Sequence, residues 1–366
     1  MKISVITKDL GKALSVANRF VSPKAQLPIL GNVKLRADKN HLSVMATNLE
    51  MGIAIKLGAK VESEGDITIP ARSLGDIITN LNTETVELSV KEEVLSINAS
   101  DFSAELNGMN SADFPEIPES LEKGGSVKTS EIVSGLNKTL FAVSLDETRP
   151  TLTGVLFKKE SGNRQTLISS DGFRLSQVAI GSADENLPEE IIVPKSVLME
   201  FAKISETEET ALVEFDKENN QMLFGVGNIV LSSRIIEGEF PNVQNIIPKS
   251  TRTKVSVAKE DLLRAVKLSS VIARGSGNVI KLEVQKDGLS ITAENAQSGS
   301  QKAKIDAKVD GESGLTISFN YRFIEEFLNA IKGSSIELGF NDTTSPGLFL
   351  DADDENYLHL VMPVRD

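Results

Sequence analysis

Residues 149–176 read RPTLTGVLFKKESGNRQTLISSDGFRLS. An apolar run, a polar turn and a second apolar run closed by Asp171-Gly172 predict strands joined by a hairpin loop. Versions of the stretch recur about 120 residues to either side. Upstream, residues 27–55 read LPILGNVKLRADKNHLSVMATNLEMGIAI, and downstream, residues 277–300 read GNVIKLEVQKDGLSITAENAQSGS. The middle copy also carries an apolar loop, Gly172 to Leu175, for which strand formation supplies no reason.

The segments around each copy follow one plan. Lys2–Ile6 alternates as a strand, Thr7 suits a helix N-cap, and Lys8–Phe20 has helical spacing with Leu10, Ala13, Leu14 and Ala17 on one side. Strands are predicted at Ile29–Arg36, His41–Thr47 and Glu50–Leu57. The plan then restarts with strand Asp66–Ile69, Pro70 at a helix start, helix Ala71–Leu81 and three strands ending at Asn107. Later helices are predicted at Ser130–Ser144, Lys195–Ile204, Lys259–Ile272 and Asn320–Lys332. Pro70, Pro194 and Asn320 mark the same point in each copy, 124 and 126 residues apart. Proline-bearing linkers repeat too, with Phe114-Pro115 and Phe240-Pro241 126 positions apart. The predicted fold is α+β: three tandem copies (1–120, 121–248, 249–366) of a duplicated strand-helix-three-strand domain, with six helices and about six short sheets.

Composition narrows the function. With 366 residues, 40% hydrophobic and 25% charged, the chain reads as a soluble protein of two or three domains. It has no cysteine, which excludes disulfides, thiolate metal sites and cysteine nucleophiles. The N-terminus MKISVITKDL lacks the features of a signal peptide and no apolar run reaches membrane length, so a cytoplasmic location is expected. A net charge of −13 argues against nucleic-acid binding only if the charge is evenly spread. Charges on opposite faces are screened beyond about 8 Å in physiological salt.

No catalytic or metal-binding signature is present, and no cofactor is expected. The two histidines, His41 and His359, sit in separate predicted strands. Gly275-Ser276-Gly277-Asn278 follows a helix and does not open one, which removes the phosphate-cradle reading. The acidic run Asp351–Glu355 lacks the glycine and distal glutamate of a calcium loop and reads as a solvated turn. Basic residues instead recur from helix to helix: Lys8, Lys12 and Arg19, then Arg72, Lys138, Lys195, Arg264 with Lys267, and Arg322. Lys24 and Arg149 lie in neighbouring loops. Helices facing one way would give an acidic chain one basic surface for sequence-independent phosphate contact. Two rivals are a hydrolase with paired carboxylates, disfavoured by the missing signatures, and a DNA-free peptide scaffold, disfavoured by these cations.

LPILGNVKL (27–35), ATNLEM (46–51), IPARSL (69–74), ADFPEIP (112–118), LTGVLF (152–157), SSDGFRLS (169–176), IIVPKSVL (191–198), IEGEFPNV (236–243) and VMPVR (361–365) resemble the bacterial β sliding clamp family, the processivity subunits of DNA polymerase III. The resemblance runs the length of the chain. It implies a head-to-tail homodimeric ring around duplex DNA, with helices inside and sheets forming an outer wall shared across domain boundaries. Implied partners are DNA, a second copy, the clamp loader, polymerases, repair proteins and ligase. The proteins would dock short Gln-x-Leu-x-Leu/Phe motifs in a cleft matching Leu152, Ser170, Gly172, Phe173, Arg174, Leu175, Pro241, Ile246, Asn320, Phe323, Leu360, Val361, Met362, Pro363, Val364 and Arg365. For the ring contact the resemblance sets Phe102 against Val271 and Ile272 of the other copy. The chain departs from the family at Phe173, where histidine is common, at Asn245, where a basic residue is frequent, and at the terminal Asp366.

Overall fold

The strand-helix-three-strand plan is carried through six times in the computed structural model, which describes residues 1–22, 26–160, 164–182 and 185–365. The first half-repeat is β1 (Lys2–Ile6), α1 (Thr7–Ala17), β2 (Asn32–Asp38), β3 (His41–Thr47) and β4 (Met51–Ser63). The second is β5 (Gly65–Pro70), α2 (Ala71–Asn80), β6 (Thr85–Lys91), β7 (Val94–Ala99) and β8 (Phe102–Asn107). The third is β9 (Gly125–Lys128), α3 (Thr129–Thr139), β10 (Gly154–Glu160), β11 (Arg164–Ser170) and β12 (Arg174–Ser182). The fourth is β13 (Glu190–Pro194), α4 (Lys195–Ile204), β14 (Thr210–Asp216), β15 (Gln221–Val226) and β16 (Ile229–Arg234). The fifth is β17 (Thr253–Ala258), α5 (Lys259–Ala273), β18 (Val279–Gln285), β19 (Gly288–Asn295) and β20 (Gly299–Asp306), followed by one extra strand, β21 (Lys308–Asp310). The sixth is β22 (Thr316–Asn320), α6 (Tyr321–Ala330), β23 (Ser335–Phe340), β24 (Gly347–Asp351) and β25 (Tyr357–Val361).

Pro70, Pro194 and Asn320 each end a strand directly before a helix, as their spacing predicts. Asn320 also caps α6 by accepting the Arg322 N–H at 3.1 Å. Thr7 does not cap α1: it is the first helical residue, and its backbone N–H bonds the Glu84 carbonyl at 3.0 Å. Helix α1 ends at Ala17, so Arg19 stands beyond it, off the predicted stripe.

Six short sheets are not what forms. The described strands build sheets of twelve, nine and four strands. Strand β4 is long enough for two roles: its first half pairs with β3 and β16, its second half with β1. Strand β12 likewise pairs with β25. Pairing satisfies backbone groups that edge strands of separate short sheets would leave open.

Two compact units result. Unit 1 holds Met1–Thr129 and Ser196–Ile235, with the twelve-stranded sheet in the order β8-β7-β6-β1-β4-β16-β15-β14-β9 and β2, β3 and β5 attached. Helices α1 and α2 pack closely in it, where a Cβ on Gly75 would lie 2.7 Å from Asn18 Nδ2. Unit 2 holds Ser130 through β12, Pro188–Lys195 and the chain from Ile236. Its sheets run β13-β10-β11-β12-β25-β24-β23-β17-β21 and β20-β19-β18-β22. Helix α6 buries Tyr321, Ile324, Phe327 and Leu328, one face at helical period. Phe327 stacks on Tyr357 and His359, with ring centroids 5.8 and 5.4 Å apart. Among the described residues no helix is long and apolar enough to cross a membrane.

Candidate functional site

All sixteen predicted cleft residues lie in unit 2, and Ser170, Gly172, Phe173, Arg174 and Leu175 form or flank the turn between β11 and β12. Gly172 has φ of +90°, a left-handed conformation that favours glycine. Asp171 Oδ1 accepts the N–H groups of Phe173 and Arg174 at 2.9 and 3.0 Å. Ser170 Oγ accepts the Gly172 N–H at 3.0 Å and donates to the Arg174 carbonyl at 2.7 Å. The turn thus meets its own polar needs and holds Phe173 outward, 61% exposed.

The C-terminal segment runs alongside. Arg174 pairs with Val361 and Leu175 with Leu360. Beyond β25, Met362 N–H donates to the Phe173 carbonyl and Val364 N–H to the Ser318 carbonyl, each at 2.8 Å. Leu175 and Leu360 belong to a buried cluster with Leu156, Ile168, Ile192 and Val243, backed by Phe240 and Ile247. Leu152, Ser170 and Val361 are also buried. Phe323, Met362, Pro363 and Asn320 are half-buried, whereas Gly172, Phe173, Pro241, Ile246, Val364 and Arg365 are exposed. An apolar rim over an apolar floor, with backbone nearby, suits one face of an extended or turn-forming apolar peptide. Asn245 is exposed, and Asp366 lies outside the described residues.

One predicted cleft residue, Arg174, is buried, which the sequence does not show. Arg174, with its side chain 8% exposed, reaches Asp171, Glu326 and the Phe141 carbonyl. Only the Asp171 partner, three residues away, leaves a sequence signal. Lys195 is half-buried here, and burial, then the Arg174 charge, hold its pKa below the usual lysine value against a smaller opposing effect of Glu326.

His359 is fully buried, with Nδ1 2.7 Å from Ser176 Oγ. Burial first, and the Arg174 charge second, push its pKa down to about 3 from 6.5. The unfolded chain takes up this proton as pH falls through 6.5, while the folded chain does not until about 3. The stability contribution is therefore complete above pH 6.5 and is lost as pH falls from there toward 3. The limiting slope is about 1.4 kcal/mol per pH unit. Urea midpoints at pH 7.5 and 5 should diverge less in His359→Gln than in the parent; equal divergence would remove His359 as the cause.

The candidate DNA-facing cations divide by partner. Arg72 is 94% exposed and only 3.9 Å from Asp76. Arg264 pairs with Asp261 at 2.6 Å and remains largely exposed. Arg19 pairs at 2.9 Å with Glu200, a buried carboxylate on α4 within unit 1. Lys138, 13% exposed, pairs with Asp354 and sits 5.4 Å from the Tyr357 ring centroid. The acidic run is correspondingly no plain solvated turn: Asp351 is buried and accepts the Gly333 and Asp353 N–H groups at 3.3 and 3.1 Å. Arg149 pairs with Asp146 at 3.1 Å, and its Nη1 would lie 2.7 Å from a Cβ on Gly172, so it borders the cleft turn. Lys8, Lys12, Lys267 and Arg322 are exposed. Lys24 lies outside the described residues.

Phe102 is exposed at the start of β8 in unit 1. Val271 is exposed and Ile272 half-buried in the last turn of α5 in unit 2. Leu268, one turn before Ile272, adds a further exposed apolar residue that the sequence reading omits.

Three family models match in order: DNA polymerase III beta subunit N-terminal domain over residues 1–118, central domain over 126–242 and C-terminal domain over 244–365. The chain is 31% identical over 360 residues to the beta sliding clamp of Staphylococcus epidermidis, covering 95% of this chain and 94% of the relative. It is 30% identical over 376 residues to that of Synechococcus elongatus, covering 100% and 99%. Among solved structures, the Bacillus subtilis DNA polymerase sliding clamp aligns with a TM-score of 0.93 at 26% identity, covering 100% of this chain and 99% of that one. The C. crescentus beta sliding clamp aligns with a TM-score of 0.94 at 28% identity over the full length of both chains. That clamp was solved with PEG bound in the region proposed for beta-motif tethering.

Proposed function

The chain belongs to the DNA polymerase III beta subunit family, and from that premise we propose how it serves as a sliding clamp in replication. It is a non-catalytic subunit. Two copies close head to tail into a ring around duplex DNA, with helices toward the DNA and sheets outward. The domains are 1–120, 121–248 and 249–366.

One observation carries this reading. The last strand of one half-repeat twice pairs antiparallel with the last strand of another: β4 with β16, and β12 with β25. Strands β8 and β20 hold the equivalent places in their own half-repeats, and each ends its sheet. Edges of equal rank left over in one chain are satisfied by a second copy in a closed, heterologous arrangement. Glu105 on β8 and Lys302 and Lys304 on β20 give the edges opposite charge. Phe102 and the α5 residues Val271 and Ile272 would then meet across the joint. Two such joints between copies, with two inside each chain, make a ring of six domains.

Retention by such a ring is topological, so phosphate contacts stay weak and the polymerase tethered to it works at high effective DNA concentration. Clamp loader, polymerases, repair proteins and ligase share the cleft around Phe173 and Met362. The reading places the protein in the cytoplasm with its DNA. Loading onto nicked circular DNA with a clamp loader and ATP, followed by linearisation, tests it. The protein is expected to leave linear DNA with free ends; persistent retention there would overturn the ring.

A further inference from the structure

We infer that Arg174 is a positioning residue that sets the aromatic wall of the cleft from below, with Glu326 and Asp171 as the groups that hold it. The inference rests on the cleft reading and changes Arg174 from a peptide contact into a support.

Every nitrogen of its guanidinium is engaged inside the protein. Nε donates to Asp171 Oδ2 at 3.0 Å, Nη1 to Glu326 and Nη2 to the Phe141 carbonyl. The guanidinium carbon lies 4.4 Å from the Phe323 ring centroid and 5.4 Å from that of Phe141. With three of its five N–H groups committed inside the protein, an aromatic ring against it and a side chain only 8% exposed, the guanidinium has little left to offer a ligand. Its contacts instead tie together three elements: the β11–β12 turn through Asp171, the short helical turn at Phe141, and α6 through Glu326 and Phe323.

Glu326 and Phe323 are three residues apart on α6 and share a face. An ion pair to the first therefore fixes the ring of the second against the guanidinium plane. The same arginine is in register with Val361, next to Met362, whose N–H bonds the Phe173 carbonyl. Backbone pairing thus sets Met362 beside Phe173, and the Arg174 side chain sets the Phe323 ring relative to both. Without Glu326, Arg174 would keep the Asp171 carboxylate with the Lys195 charge still nearby, and α6 would lose its ionic tie to the turn.

The chain has no tryptophan, so Phe323→Trp supplies a single fluorescent reporter in the wall. In that background Glu326→Gln should shift emission to longer wavelength and raise acrylamide quenching, with Glu326→Asp restoring most of both. Glu326 is partly exposed on α6, so the fold should survive. In the otherwise unchanged chain, Glu326→Gln should weaken a Gln-x-Leu-x-Leu/Phe peptide about tenfold, the scale of a lost charged hydrogen bond. Combined with Arg174→Lys the loss should be less than additive. Unchanged emission with unchanged peptide affinity would overturn the inference, as would full additivity. Failure of the parent protein to bind the peptide would instead strike the cleft reading, and the emission comparison would still decide the role of Arg174.

Discussion

Phe173→Ser combined with Met362→Ala is expected to weaken a Gln-x-Leu-x-Leu/Phe peptide about a hundredfold, while the protein stays dimeric and folded. Each change removes an apolar contact worth about 1.5 kcal/mol when fully covered by a ligand, about 3 kcal/mol in total, and a hundredfold corresponds to about 2.8 kcal/mol. Phe173 points outward, so serine there opens no cavity in the core. The Met362 backbone bond to Phe173 is independent of either side chain and persists in the variant. Calorimetric titration of the peptide, with sedimentation for the dimer, measures both. Leu175→Ala is the contrasting control: Leu175 is in the buried cluster, and its truncation should cost about 2–5 kcal/mol of stability. Undiminished peptide affinity in the double variant would move the docking site elsewhere.

Lys12→Gln, Lys267→Gln and Arg322→Gln together are expected to flatten the salt dependence of DNA binding. The slope of log affinity against log salt should fall by about 0.9 for each phosphate contact removed. These three are exposed on α1, α5 and α6. Lys138→Gln should barely change that slope, because Lys138 is committed to Asp354 and largely buried. Arg19→Gln should act mainly on stability, because it strands the buried Glu200 carboxylate, whose other partner is Lys203 at 2.9 Å. Filter binding on short duplexes over a salt series separates the groups. A slope unchanged by the triple variant, or reduced equally by Lys138→Gln, would remove these helices from the DNA-facing surface.

The same contrast shows what sequence reading can reach. Lys8, Lys12, Arg19 and Lys138 look alike as basic residues on predicted helices. Their differing availability depends on Glu200 and Asp354, which lie 181 and 216 residues from Arg19 and Lys138. Arg149 has the same limitation, since it borders Gly172 through a contact that no helical or strand period encodes. At the cleft, the outward Phe173 is legible because Asp-Gly fixes a turn within a few residues. Glu326 is not, because its partner Arg174 is 152 residues away.

The sequence by itself determined the half-repeat. Apolar period, capping residues and proline placement act over fewer than about fifteen residues, and six returns of that local pattern specify six similar units. Tertiary structure decided how those units join. Whether a strand such as β4 or β12 ends a small sheet or continues a large one depends on which backbone edge meets it. Every residue type except proline offers the same backbone donor and acceptor, so side-chain order carries little record of that choice. The joint between repeats, the cation partners and the support beneath Phe323 are all decided there, by contacts between residues far apart in the chain.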